Sequence, residues 1–403
     1  MGNITDDIRQ HFDTFAELPF TEADSLALSQ LAYARMPDNV PRYHENAETA
    51  DGMIATVPIH DLLRAECYDD MFGKVWSPSM NVDLLRAMSE SPRWRNLRVG
   101  AYVDEFDAAT TKQFSACVFE LGNGTLYVAF RGTDSSIVGW KEDFMMAFRR
   151  PVASQEAAAR YLTELAGHWA GPIMVGGHSK GGNLAVYAAA NVPSEIQERI
   201  TVVYSHDGPG FDEDGYVRIA SKIHKSVPGS SIIGMLFETR EHVEDGYTVV
   251  SSDGASIMQH FALHWQVDHG QFVQADGLTS SAQYLARTIN GWMAKYDDEH
   301  RRKFIENLFA IFEAGGYDTF GDLTSHLTQS LPIMLAAARN IDVEDRDVMI
   351  EVLKGFAATA AASVLMVSPR SSSVPTAMSS AFINRSGSFQ FRPLPRARAR
   401  QCR

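Results

Sequence analysis

Cysteine is scarce: the chain holds Cys67, Cys117 and Cys402, widely spaced and with no C-x-x-C pair. That excludes a disulfide framework, a zinc ribbon and a dithiol redox motif, and it fits a reducing compartment. Also missing is any run near the ~18 consecutive apolar residues of a membrane span. The nearest stretch, Gly355–Val367, is alanine-rich, shorter, and preceded by Glu351 and Lys354, which predicts a packed helix. Met1–Gln10 is polar and carries Asp6 and Asp7 where a secretory leader needs a basic end and an apolar centre. A cytoplasmic protein, not exported by that route, is the expectation.

Positive charge is short as well, with 36 Lys and Arg against 50 Asp and Glu. Seven of the arginines follow Pro369, in a segment with no lysine or acidic residue, so the rest of the chain sets 29 basic against 50 acidic side chains. A body of that sign repels a phosphate backbone, which excludes nucleic acid as its partner. The Ser-, Pro- and Arg-rich stretch 368–403 has little to bury and is expected as a disordered tail, the one part suited to an anionic membrane surface. No internal repeat is visible, and no residue pattern calls for a metal or a cofactor.

What the chain does have is apolar material for one large core plus a satellite: 403 residues, 45% of them hydrophobic. Residues 1–95 read as a helical, turn-rich region packed on the core, with Thr21-Glu22-Ala23-Asp24 resembling a capping box ahead of Leu26, Leu28 and Leu31. Residues 96–278 read as the core. Strands are expected at Leu97–Phe106, Lys112–Leu121 and Thr125–Arg131, the last two joined by the turn Gly122-Asn123-Gly124. Beyond them come a helix at Gln155–Trp169, a strand at Pro172–Gly176, a helix at Gly181–Asn191, and strands at Thr201–Ser205 and Ser231–Glu238. Such alternation predicts an α/β fold with a mostly parallel sheet flanked by helices. Residues 279–367 are expected to be helical, at Tyr284–Tyr296, His300–Ala314 and Asp342–Val367.

One segment carries chemistry. Ile173-Met174-Val175-Gly176-Gly177-His178-Ser179-Lys180-Gly181-Gly182 runs an apolar strand through G-x-S-x-G-G into an alanine-rich helix. That context is the nucleophile elbow: a tight turn strains the backbone at the serine, while Gly177 and Gly181 let strand and helix approach. The Ser179 hydroxyl is then held above the sheet, and the N–H of Lys180 can face a developing oxyanion. The competing reading is a glycine-rich turn whose serine merely caps the helix.

With these residues the sequence resembles the class 3, fungal-type lipases, and more closely a bacterial lipase-like family known as domain of unknown function 2974. Phe130-Arg131-Gly132-Thr133, with Trp140 and Asp143 after it, looks like the lipase oxyanion segment, and Gly177–Gly182 looks like the lipase elbow. His206-Asp207-Gly208-Pro209-Gly210-Phe211 and Gln259-His260 with Trp265 follow in the expected order. The resemblance implies an α/β-hydrolase fold with helical N- and C-terminal additions, a serine hydrolase acting on an acyl ester or lipid-like small molecule, Ser179 as nucleophile, His260 as base, and Thr133 and Lys180 as oxyanion donors. His264 and His269 are rivals for the base.

The acid is where the pattern breaks. Lipases carry it just after the strand that follows Ser205, and here Ser230-Ser231-Ile232-Ile233 offers no carboxylate. Asp207, directly after Thr201–Ser205, is the chosen substitute, since such triads are defined by geometry rather than by order. Glu238 and Asp253 stay open, and so does an Asx turn as the role of Asp207. Without an acid, a weakly active or inactive binding protein becomes the alternative, and acyl transfer uses the same residues. The Phe144–Phe148 run is plain core, lines an acyl site or forms a lid, and the Lys180 side chain either favours anionic substrates or points to solvent.

Overall fold

A computed structural model describes residues 2–43, 54–211, 216–237, 246–343 and 345–347. The expected tail at 368–403, nearly all of the Asp342–Val367 helix, and Glu238 lie outside the described residues.

Eight strands form one sheet in chain order: β1 (Thr56–Pro58), β2 (Arg98–Asp107), β3 (Lys112–Glu120), β4 (Leu126–Phe130), β5 (Ile173–His178), β6 (Ile200–His206), β7 (Ile223–Pro228) and β8 (Tyr247–Val250). β1 to β4 pair antiparallel, and β4 to β8 pair parallel. The β3–β4 hairpin turns on Gly122 and Gly124, at φ 74° and 81°, a region glycine enters without steric cost.

Alternation along the strands divides the core into two layers. Leu126, Val128 and Phe130 of β4 pack with Ala158, Leu162 and Leu184, which come from α6 (Ala153–Gly167) and α7 (Lys180–Asn191). Tyr127 and Ala129, on the other face, pack with residues of α1 (Ile4–Gln10), α2 (Glu22–Leu31) and α4 (Pro78–Glu90). The N-terminal residues therefore complete the hydrophobic layer of the same sheet. The Thr21 hydroxyl accepts from the Asp24 N–H while the Asp24 carboxylate accepts from the Thr21 N–H, so α2 starts on a true capping box. Two short helices, α3 (Tyr68–Phe72) and α8 (Ser194–Arg199), finish connections.

After the sheet come α9 (Ser280–Lys295), α10 (Asp298–Ala314), α11 (Phe320–Ser325) and α12 (Leu327–Ala338). Of these, α9, α10 and α12 share a third apolar cluster with α5 (Ile137–Met145), in which the Phe144 and Phe309 rings meet at 5.5 Å. The Phe144–Phe148 run is thus core beneath α10, and the lid reading is corrected. Also corrected is the strand expected at Ser231–Glu238. The strand after β6 is Ile223–Pro228, whose His224, Lys225 and Ser226 hide its apolar positions; Pro228-Gly229 ends it, and Ile233–Met235 forms a single 3-10 turn. A mostly parallel sheet with helices on both faces and the elbow after β5 is the α/β-hydrolase fold of lipase type. Among the described residues, no helix is long and apolar enough to cross a membrane.

Candidate active site

Ser179 stands between β5 and α7 at φ 59°, and its side chain makes no capping bond to the helix. The simple capping role is thereby excluded. Two glycines make the turn possible: a Cβ on Gly177 would lie 2.2 Å from the Gly181 carbonyl carbon, and one on Gly181 would lie 2.1 Å from the Phe130 carbonyl oxygen. The Ser179 N–H donates to the His206 carbonyl at 2.8 Å, tying the elbow to β6.

The Ser179 hydroxyl lies 3.0 Å from Nε2 of His260, whose Nδ1 lies 2.6 Å from Oδ2 of Asp207. The carboxylate can only accept, so Nδ1 carries the proton and Nε2 is free to take one from Ser179. Asp207 is fully buried, at φ 49°, and its other oxygen accepts from the Ser231 hydroxyl and from the Gly234 N–H at 3.1 Å. Both oxygens are therefore committed, and the Asx-turn role is excluded. Ser231, which stands where the resemblance to lipases led an acid to be expected, donates its hydroxyl to the Asp207 carboxylate instead. The rivals lie elsewhere: Asp253 accepts from Gln266, His264 packs on Phe261, and the His269 ring lies 4.1 Å from that of His11.

Two amides are candidates for an oxyanion site. The N–H of Lys180 opens α7, where helical N–H groups lack an acceptor within their own helix. Thr133 follows Gly132, which lies against the elbow: a Cβ there would approach the His178 carbonyl oxygen to 2.6 Å. The Thr133 hydroxyl donates to Oδ2 of Asp143 at 2.6 Å, so its proton is already committed and only the N–H is left to offer. The Lys180 side chain corrects both roles considered for it. It is fully buried, with Nζ 3.0 Å from Oε2 of Glu142 and 3.0 Å from the Gln113 carbonyl oxygen, and 3.6 Å from Oδ1 of Asp143. Burial pushes the Asp143 carboxyl up to about 6, although the Lys180 charge and the Thr133 hydroxyl pull the other way. Arg131 pairs with Asp104, and Trp140 packs among the C-terminal helices, so both act in the scaffold.

Three contributors had been assigned no role: Glu142, Tyr33, and His178, which lies inside the elbow motif itself. Glu142 clamps β3 and α6 through the Gln113 and Ser154 N–H groups at 2.9 and 3.0 Å. Nε2 of His178 donates to the His260 carbonyl oxygen at 2.7 Å, and the Tyr33 hydroxyl meets its Nδ1 at 2.9 Å. Only the elbow pattern around His178 pointed its way. Beside His260 the surface is apolar, with Trp76, Ile257 and Met258 at least 40% exposed and the Trp76 ring 5.0 Å from that of Phe261. Among the described residues no group of three His, Cys, Asp or Glu side chains could hold a metal ion.

No curated protein sequence matches the chain. Among solved structures it is similar to the Rhizomucor miehei lipase propeptide complex, at 15% identity over 63% of this chain and 95% of that one, with a TM-score of 0.30. It is also similar to M37 lipase, at 16% identity over 69% and 82% with a TM-score of 0.35, and to a mutant form of MDLA from Penicillium cyclopium, at 13% over 62% and 86% with 0.31. A family model, Mbeg1-like, matches residues 88–310, which hold the sheet from β2 onward and every candidate site residue from Thr133 to His260. The chain belongs to the Mbeg1-like family.

Proposed function

We propose that the chain is a serine hydrolase that cleaves a carboxylic ester through an acyl-enzyme. The observation that carries this reading is the unbroken line from the Ser179 hydroxyl through His260 to Asp207, at 3.0 and 2.6 Å, on a serine that does not cap its helix. In the reaction His260 takes the Ser179 proton as the oxygen attacks the acyl carbonyl, and the N–H groups of Lys180 and Thr133 receive the oxyanion. The imidazolium then protonates the leaving alcohol, and water, deprotonated by the same imidazole, releases the acid. Asp207 keeps the ring in its tautomer and offsets the charge formed on it.

The apolar rim at Trp76, Ile257, Met258 and Phe261 supports an apolar acyl group, as in a lipid-like ester. An inactive relative was the alternative while the acid was missing; a carboxylate at His260 weighs against it. Acyl transfer to another alcohol differs only in the acceptor, and product analysis with added alcohols separates the two. The closer likeness to domain of unknown function 2974, a cytoplasmic location, and contact of the arginine-rich C-terminal segment with anionic membrane belong to the same proposal. A panel of acyl esters of graded chain length is the test. Turnover is expected for wild type and absent for Ser179→Ala; equal turnover in the two proteins contradicts the reading.

A further inference from the structure

The bond from His178 to the His260 carbonyl settles more than it first shows. A carbonyl oxygen can only accept, so Nε2 of His178 must carry the proton. In a neutral ring Nδ1 is then bare and accepts from the Tyr33 hydroxyl 2.9 Å away, which also lies 3.4 Å from the His178 carbonyl oxygen and against the Ser179 side chain. Three groups thus form a directed chain from the N-terminal layer to the main chain of the base, with the His178 and His260 rings 4.7 Å apart.

We propose that Tyr33 is a positioning residue for His260: its hydroxyl bonds Nδ1 and so fixes the plane of the His178 ring, whose Nε2–H, set by the carbonyl that it meets, anchors the His260 main chain and aims the imidazole at Ser179. The inference rests on the esterase reading above.

The need for such an anchor is local. His260 ends a short 3-10 turn, Ser256–His260, in the irregular stretch after β8, where no strand or long helix fixes its backbone. With the other tautomer, bare Nε2 would face the carbonyl oxygen, and attraction would become repulsion. Burial, reinforced by the charge His260 acquires, depresses the His178 pKa to about 3, so the ring stays neutral and keeps a bare Nδ1 for the Tyr33 hydroxyl. The other ionisable groups near this chain are Asp207, reached through His260, and Asp143, Asp134 and Arg131, whose charges act on the Tyr33 phenol. Burial, then the Asp143 charge, push that phenol well above its ordinary value, which keeps its proton in place. Room for the hydroxyl comes from Gly132, where a Cβ would lie 2.0 Å from the Tyr33 oxygen.

The test combines imidazole nitrogen–proton NMR with kinetics on the full chain. Wild type should show His178 protonated at Nε2 alone, with the Nδ1 resonance shifted by the hydrogen bond it accepts, and Tyr33→Phe should lose that shift. Tyr33→Phe should lower kcat for an acyl ester by about tenfold with KM unchanged, and slow fluorophosphonate labelling of Ser179 by the same factor. His178→Ala should lose more, and adding Tyr33→Phe to it should cost clearly less than Tyr33→Phe costs alone, since the bond to that ring is the tyrosine's main route to His260. A wild-type His178 protonated at Nδ1, an unchanged kcat in Tyr33→Phe, or additive losses in the double variant would each overturn the proposal. Should His178→Ala fail to fold, the Tyr33→Phe spectra and rates still decide. The spectra need no turnover, so failure of the esterase reading, seen as a wild type that neither hydrolyses esters nor takes the phosphonate, is told apart from failure of this one.

Discussion

At the end of β5 Ser179 sits at φ 59°, and at the end of neighbouring β6 Asp207 sits at φ 49°. Each backbone costs about 1–3 kcal/mol of strain, and each presents its side chain to one imidazole. They are held by opposite means. Ser179 is held locally, by glycines at 177 and 181 that admit the Phe130 strand end. Asp207 is held from a distance, by Ser231 and Gly234 beyond the next strand and by its own N–H on the Ser226 carbonyl at 2.7 Å. A nucleophile needs a turn; a buried carboxylate needs donors, and donors can come from anywhere in the fold.

Breaking the acid end should give the largest effect. Asp207→Asn keeps the shape but removes the acceptor that sets the His260 tautomer, so kcat should fall about ten-thousandfold with little change in thermal midpoint, as steady-state kinetics and calorimetry would show. Loss of folding instead would mean that the carboxylate serves the scaffold. The nucleophile end has its own buried charge. Lys180→Met leaves Glu142 and Asp143 without their cation and should cost about 3–5 kcal/mol in urea unfolding. A neutral result would show that the ammonium is dispensable there.

Asp143 sharpens the same contrast through pH. Its folded pKa, about 6, lies above the ordinary 3.8, so its contribution to stability is fully present below the ordinary value and is lost as pH rises through 6. Asp143→Asn should remove that component, up to about 3 kcal/mol between pH 4 and 8, from the difference between the two unfolding curves. Parallel curves would contradict the assignment. The smallest effect is expected for Ser231→Ala, which leaves Oδ1 of Asp207 one donor short; kcat should fall about tenfold. A loss as large as that of Asp207→Asn would make Ser231 more than a prop.

The local end was legible and the distant end only in part. The G-x-S-x-G-G spacing between apolar strand and alanine-rich helix is a contiguous signal, and β2 to β6 fall within a few residues of their expected limits because apolar alternation and the Gly122–Gly124 turn mark them. β7 was misplaced because its middle reads His224-Lys225-Ser226, polar side chains that the fold accommodates at the sheet's later strands. Lys180 was taken as facing substrate or solvent because nothing nearby in sequence announces Glu142, 38 residues away. Tyr33, 145 residues from His178, left no signal at all: its role exists only once the N-terminal layer closes over the sheet.

The proposed activity depends on the Ser179 hydroxyl being activated by the imidazole–carboxylate pair beside it. The most direct measurement is fluorophosphonate labelling of wild type and Asp207→Asn, followed by peptide mass spectrometry. One adduct is expected, on Ser179, forming at least about a hundredfold more slowly in the variant. An adduct on another residue, or equal rates in the two proteins, would contradict that activation.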